Sequence, residues 1–241
     1  VVLIQLRRDR QPIVVRDYLK IRPDWPMIGR ILGIGIPSGV EKSMFQLGKL
    51  AIQSTVSTLG TVAIAAQAMT NILENLNGIA GIGVGVGLMT IVGQCMGANR
   101  KDEAVYYIKK LSVIAEVTII VSCLLVFILT RPVTMLGGME KTSADMCWHM
   151  VMWITIVKPI MWVSAFVPAY GLRAAGDVKF SMISSCAVMW LCRFCLSVLL
   201  IRGLGFGPMG VWIGMFADWT VRAVLFTWRF HSRKWLEHKV I

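Results

Sequence analysis

NILENLNGIAGIGVGVGLMTIVGQCMG, residues 71–97, sets a glutamate and three asparagines directly before five glycines within ten residues, all inside apolar sequence. The environment that tolerates a charge and so much backbone freedom in one hydrophobic segment decides the fold. A dinucleotide-binding reading of GIGVGVG fails at every register. Counting from Gly81, Gly83 or Gly85, the sixth position of G-x-G-x-x-G holds Val86, Leu88 or Thr90, and no strand-like run precedes it. Gly81 and Gly85, like Gly83 and Gly87, are four apart, a spacing that lets a second helix approach closely in a membrane. The same glycines are candidate hinge points, because glycine costs helix stability even where the fold survives. Upstream, Gln67, Asn71 and Glu74 share a helical face that Asn77 extends. A lone ionisable group at the bilayer centre costs at least ~2.5–3.5 kcal/mol, which is bearable if that face lines a wet cavity. The segment therefore divides into a polar half facing a pathway and a glycine half that packs or bends.

Composition agrees with a bilayer. Of 241 residues 56% are hydrophobic and 16% charged, against about 25% charged in soluble domains. The apolar residues fall in blocks of roughly 20 or more, the length of a membrane-spanning helix. Six spans stand out, near 31–57, 62–96, 105–130, 146–170, 179–201 and 208–230. The net charge of +12 sits mainly in alternate loops. Residues 1–30, 98–110, 171–179 and 229–241 carry seventeen Lys/Arg, and the intervening loops three. That bias places both chain ends in the cytoplasm and makes a nucleic-acid partner unnecessary. Residues 11–30 mix bases with Val, Tyr, Leu, Ile and Trp, as an amphipathic connector on the inner leaflet would. The chain opens mid-phrase with VVLIQL and then RRDR, which reads as the end of an earlier helix.

Other polar groups lie within the spans. Lys42, Gln46, Lys49, Gln53 and Ser57 form one stripe down the first, a face suited to lining a cavity. Lys158, beside Pro159 in the fourth span, is placed to attract or repel substrate or to pair with Glu74; proline removes a backbone donor there. Trp162, one turn on, and the methionines around it suit varied flat, lipophilic molecules. Asp218 and Arg222, four apart with the acid N-terminal, read as a structural pair. Arg193 has no helical partner at i±4. The six cysteines lack metal-ligand spacing and read as small buried hydrophobes. No catalytic constellation and no metal site is evident.

IGIPSGVEK, STLGTVAIAAQAMTNILENLNGIAGIGVGVGLMTIVGQCMGANRKDEA, GLRAAGDVKF and GVWIGMFADWTVRAVLFTWRFHSRKW, in that order, resemble the MATE (multidrug and toxic compound extrusion) transporters over nearly the whole chain. The resemblance implies an all-α integral membrane fold, with this chain as the C-terminal six-helix lobe of a twelve-helix, V-shaped protein. Residues 1–30 would hold the end of helix six and the connector, 31–230 the lobe, and 231–241 a cytoplasmic tail. It implies the missing N-terminal lobe as partner, the plasma membrane as location, and no cofactor beyond Na⁺ or H⁺ as coupling ion. Its implied cargo is small cationic or amphipathic compounds exported by antiport. Where some branches carry acids, this chain has Phe45 and, near the second position, Trp162, so Glu74 is the acidic coupling candidate that remains. Gln46, Lys49, Gln53, Gln67, Asn71, Asn77, Lys158 and Trp162 are the cavity candidates. A lipid-linked oligosaccharide flippase of the same superfamily is the alternative, with Lys49, Lys158 and Arg193 attracting pyrophosphate. A non-transporting scaffold would not need polar stripes on two successive spans.

Overall fold

A computed structural model describes residues 24–237. Of the helix end and connector expected over residues 1–30, residues 1–23 lie outside the described residues, as do the last four residues of the tail, and residues 25–30 are helical. The chain divides into two units, Val1–Ile36 and Pro37–Ile241. In the first, Asp24 Oδ1 accepts the backbone N–H of Met27 at 3.2 Å, at the start of a helix with exposed Trp25, Met27 and Ile31.

Six long helices make up the described part: α1 Trp25–Val56, α2 Thr61–Gly97, α3 Lys101–Leu136, α4 Lys141–Ala174, α5 Val178–Gly203 and α6 Met209–His231. α3 starts four residues earlier and ends six later than the apolar block that announces it. Among the described residues, α2 to α6 are the helices long and apolar enough to cross a membrane. The six expected spans are met by these five and by a sixth long helix, α1, that is less apolar. That helix has ample length at 32 residues, but Lys42, Gln46, Lys49 and Gln53 dilute its apolar character. α2, at 37 residues, is one continuous helix through all its glycines. At about 1.5 Å per residue it outruns a hydrocarbon core of about 30 Å.

Three helices end in the same way, and the sequence explains why. Asn99, Gly138 and Gly176 have φ of 56°, 64° and 92°, the left-handed region that glycine and asparagine tolerate. After each, the chain turns back so that Arg100 N–H reaches Cys95 O (2.8 Å), Met139 N–H reaches Thr134 O (3.2 Å) and Asp177 N–H reaches Leu172 O (3.0 Å). These paired bonds satisfy carbonyls that would otherwise be orphaned at the helix ends. The GANR, LGGM and AAGD phrases are thus stop signals.

α3 shows the inside-out logic of a membrane helix. It buries Ala104, Ile108, Ala115, Ile119, Cys123, Val126 and Thr130, and turns Val113, Val117, Val121, Leu124 and Ile128 outward. With no hydrophobic drive between helices in lipid, close packing and a few hydrogen bonds hold the bundle. Thr70, Ser112, Thr130 and Thr155 hydroxyls bond back to the carbonyl four residues earlier, so those four donors are satisfied within their own helices. Between helices, Ser122 Oγ donates to Asn77 O at 3.0 Å and Ser143 Oγ to Val62 O at 3.3 Å. Cys95, Cys123 and Cys147 are buried as expected, whereas Cys195 is exposed and Cys186 and Cys192 are half-buried.

The two glycine pairs of α2 separate cleanly. A Cβ at Gly81 would lie 2.7 Å from both Ile119 Cδ1 and Trp162 Cζ3, and one at Gly85 would lie 2.5 Å from the Tyr170 ring. Gly83 and Gly87 face open space. The first pair is where α4 rings seat against α2; the second does no packing within this unit. α4 itself continues unbroken through Pro159 and Pro168. Gly81→Ala should destabilise the protein by about 1–3 kcal/mol, because the Trp162 ring cannot fold aside. Gly83→Ala should be neutral to within about 0.5 kcal/mol. Thermal unfolding of the full-length protein in detergent, followed by tryptophan fluorescence, measures both.

Candidate functional site

A polar cavity of about 380 Å³ opens between α1, α2, α5 and α6. α1 contributes Gln46, Lys49, Leu50, Ile52 and Gln53; α2 contributes Gln67, Asn71, Glu74 and Asn75; Arg193 and Val211 complete it. The α1 stripe and the α2 face therefore meet across one space. Neither face follows from propensity; both come from placing amides and charges at three- and four-residue intervals on helices otherwise apolar. The α1 side rests on a small apolar cluster of Ile52, Val56, Met189, Ile201 and Val211.

Three of the cavity candidates take other positions. Lys158 is fully buried behind the cavity wall. Its Nζ donates to Glu74 Oε1 at 2.7 Å, to the Glu74 backbone oxygen at 3.0 Å and to Asn77 Oδ1. Asn77, only 1% exposed, serves that ammonium rather than the cavity. Gly78 makes room for it, since a Cβ there would come within 3.3 Å of Nζ. Trp162 and Trp219 flank the ammonium, with ring centroids 5.7 and 6.0 Å from Nζ. Trp162 is itself buried against Gly81. The three leave the cavity for one physical reason: a lysine in a dry bundle draws every available acceptor and π face to itself.

Glu74 is the junction. Oε1 is held by Lys158, while the side chain keeps 17% exposure at the cavity wall. Gln67 also does two things: it borders the cavity, yet is buried and accepts the Trp212 Nε1–H at 3.0 Å, tying α2 to α6.

Asp218 and Arg222 form the expected pair, Nε to Oδ1 at 2.9 Å, both buried. Arg222 also donates to Ser185 O at 2.9 Å, anchoring α6 to α5. Two more ion pairs close the lobe where the basic loops lie: Arg173 to Glu41 at 2.5 Å and Arg229 to Asp177 at 2.7 Å. A second cavity of about 310 Å³ holds Glu41, Lys42, Tyr170, Arg173 and Arg222, and shares Gln46 with the first.

Besides Asn75, which spacing did not assign to the site, the cavity takes in Arg193, expected only among the cations that would attract a pyrophosphate. Arg193 sits in a π-helical stretch, Met189–Cys195, of a kind that recurs at functional positions. The available signal was an arginine deep in an apolar span with no acid one turn away.

The MatE family model matches residues 37–199. The chain belongs to the MatE family. It is 24% identical over 92% of its length to a probable multidrug resistance protein NorM of Thermotoga maritima, covering 47% of that protein. It is 28% identical over 80% of its length to a FAD transporter of Shewanella oneidensis, covering 44% of it. A crystal structure of MATE in complex with MaL6 superimposes with a TM-score of 0.80 at 14% identity, over 93% of this chain and 51% of that one. The chain thus spans about half the length of the curated relatives it matches, as one helical lobe.

Removing one member of the Lys158–Glu74 pair should cost more than removing both. Lys158→Met or Glu74→Gln alone should destabilise by about 3–5 kcal/mol, since each strands a buried polar or charged partner. The double variant Glu74→Gln/Lys158→Met should recover at least ~1 kcal/mol of that loss. Denaturation of the three variants in one detergent measures the coupling.

Proposed function

We propose that this lobe works in secondary active export of small amphipathic molecules, by antiport with Na⁺ or H⁺, in a plasma membrane with both chain ends cytoplasmic. The observation that carries the reading is the cavity in which the polar faces of α1 and α2 meet. Such a face is expensive against lipid and inexpensive against water or cargo. Relatives whose names specify multidrug resistance and FAD transport support small organic molecules as cargo, and the charge asymmetry of the loops supports the orientation.

Glu74 and Lys158 supply a coupling device. One carboxylate oxygen is held by an internal, tethered cation, and the side chain still reaches the cavity. A proton or Na⁺ arriving at Glu74 competes with Lys158 for the same charge. Loading therefore favours a lobe arrangement in which Lys158 has withdrawn, and release favours the arrangement seen here. Only such differential affinity couples ion flow to conformation. Lys158 is thereby removed from the cations available to a pyrophosphate, which weakens the flippase alternative by one of its three groups. A scaffold would have no use for a charge pair placed at a cavity wall.

In proteoliposomes of the full-length protein, Glu74→Gln/Lys158→Met should bind cargo within about threefold of wild type yet lose export driven by an imposed Na⁺ or H⁺ gradient. Export with unchanged ion dependence in that variant would remove the pair from the mechanism.

A further inference from the structure

Charge around the main cavity does not balance. The carboxylate at its wall, Glu74, is engaged by Lys158, and the nearby buried Asp218 by Arg222. Arg193 and Lys49 remain, and neither has a carboxylate within ion-pair distance among the described residues. Arg193 is only 9% exposed, and a guanidinium cannot discharge by losing its proton. One Nη2–H meets the weak acceptor Met215 Sδ at 2.8 Å, and the buried Nε–H has no partner at all. Lys49 and Arg193 lie 5.4 and 5.2 Å from the centroid of the same ring, Phe45, hence within about twice that distance of each other. Arg222 approaches that ring as well, at 5.8 Å. A π face attracts cations weakly compared with a carboxylate, so this cluster is held together without being neutralised.

We infer that Lys49 and Arg193 form a recognition site for an anionic group, a phosphate or carboxylate carried on an amphipathic molecule, so that the cavity selects cargo of opposite sign to organic cations. The inference rests on the cavity being the cargo pathway proposed above. Arg193 offers directional donors and Lys49 a mobile charge on the exposed side of α1. The flat apolar part of the cargo lies against Leu50, Ile52 and Val211, and Gln53 and Asn71 supply neutral hydrogen bonds. An anionic lipid headgroup and a soluble organic anion present the same chemistry to this site.

Riboflavin and riboflavin 5′-phosphate differ by one phosphate on an identical fluorescent ring, and ethidium supplies a flat cation. Binding of the three to the full-length protein in neutral-lipid nanodiscs is read by fluorescence titration. The phosphate should confer at least about tenfold tighter binding than riboflavin, the worth of a charge-assisted hydrogen bond in a desolvated site. Lys49→Gln, a substitution on an exposed side chain, and Arg193→Gln should each bring that ratio toward one. Phe45→Glu, which installs an internal counter-charge, should do the same. Competition by added phosphatidylglycerol would assign the site to a lipid headgroup, and its failure to compete would assign it to soluble anions. Equal binding of the two flavins, or tighter binding of ethidium, overturns the inference even where gradient-driven export is intact. Selective flavin-phosphate binding with no gradient-driven flux of any probe would instead overturn the transport reading and leave the anion site standing.

Discussion

A lysine ammonium with no exposure to solvent is the constraint around which the lobe is arranged. Lys158 needs acceptors inside a bundle that offers few, and α2 provides three of them from Glu74 and Asn77. That requirement fixes the axial register of α4 against α2 and keeps Gly78 free of a side chain. It also brings Trp162 down onto Gly81. Breaking a buried pair costs far more than its net worth to stability, so the pair specifies this register more than it strengthens the bundle. The same contact consumes the acidity of the cavity wall. Because Glu74 is already matched, Arg193 and Lys49 become the charges that the cavity presents.

Much of this was legible in the chain. Helix ends were less so: the left-handed stops at Gly138 and Gly176 let α3 and α4 run six and four residues past the apolar blocks at 105–130 and 146–170. The polar stripes of α1 and α2 could be read from spacing, and Gln46, Lys49, Gln53, Gln67, Asn71 and Glu74 do meet on one cavity. The Asp218–Arg222 pair was legible for the same reason: an i,i+4 relation is fixed by the helix itself.

What spacing could not reveal was which polar group faces which neighbour across helices. Asn77 continues the Glu74 face only approximately, and a rotation of part of a turn carries it from the cavity to Lys158. Trp162 lies one helical turn from Lys158 and was drawn with it toward the core. Arg193 was legible as a cation deep in a span, but its place on this cavity comes from a void between helices rather than from a local pattern. The first helix exposes a limit of hydropathy as a guide, since the residues that suit it to line a pathway are those that make it look too polar to span. Glycine spacing was likewise ambiguous: Gly81 and Gly85 pack, while Gly83 and Gly87 at the same interval do not.

Water on the shared face of α1 and α2 is the central physical claim, and thiol accessibility tests it most directly. In a full-length background with the six native cysteines replaced, single cysteines are placed at Gln53 and Asn71 on the cavity and at Leu124 on the outward face of α3. Labelling by a membrane-impermeant methanethiosulfonate in intact proteoliposomes should be rapid at the first two positions and at least about tenfold slower at Leu124, where lipid excludes the charged reagent. Equal protection at all three positions would mean that the polar face is dry, and the account of this lobe as a transport pathway would be contradicted.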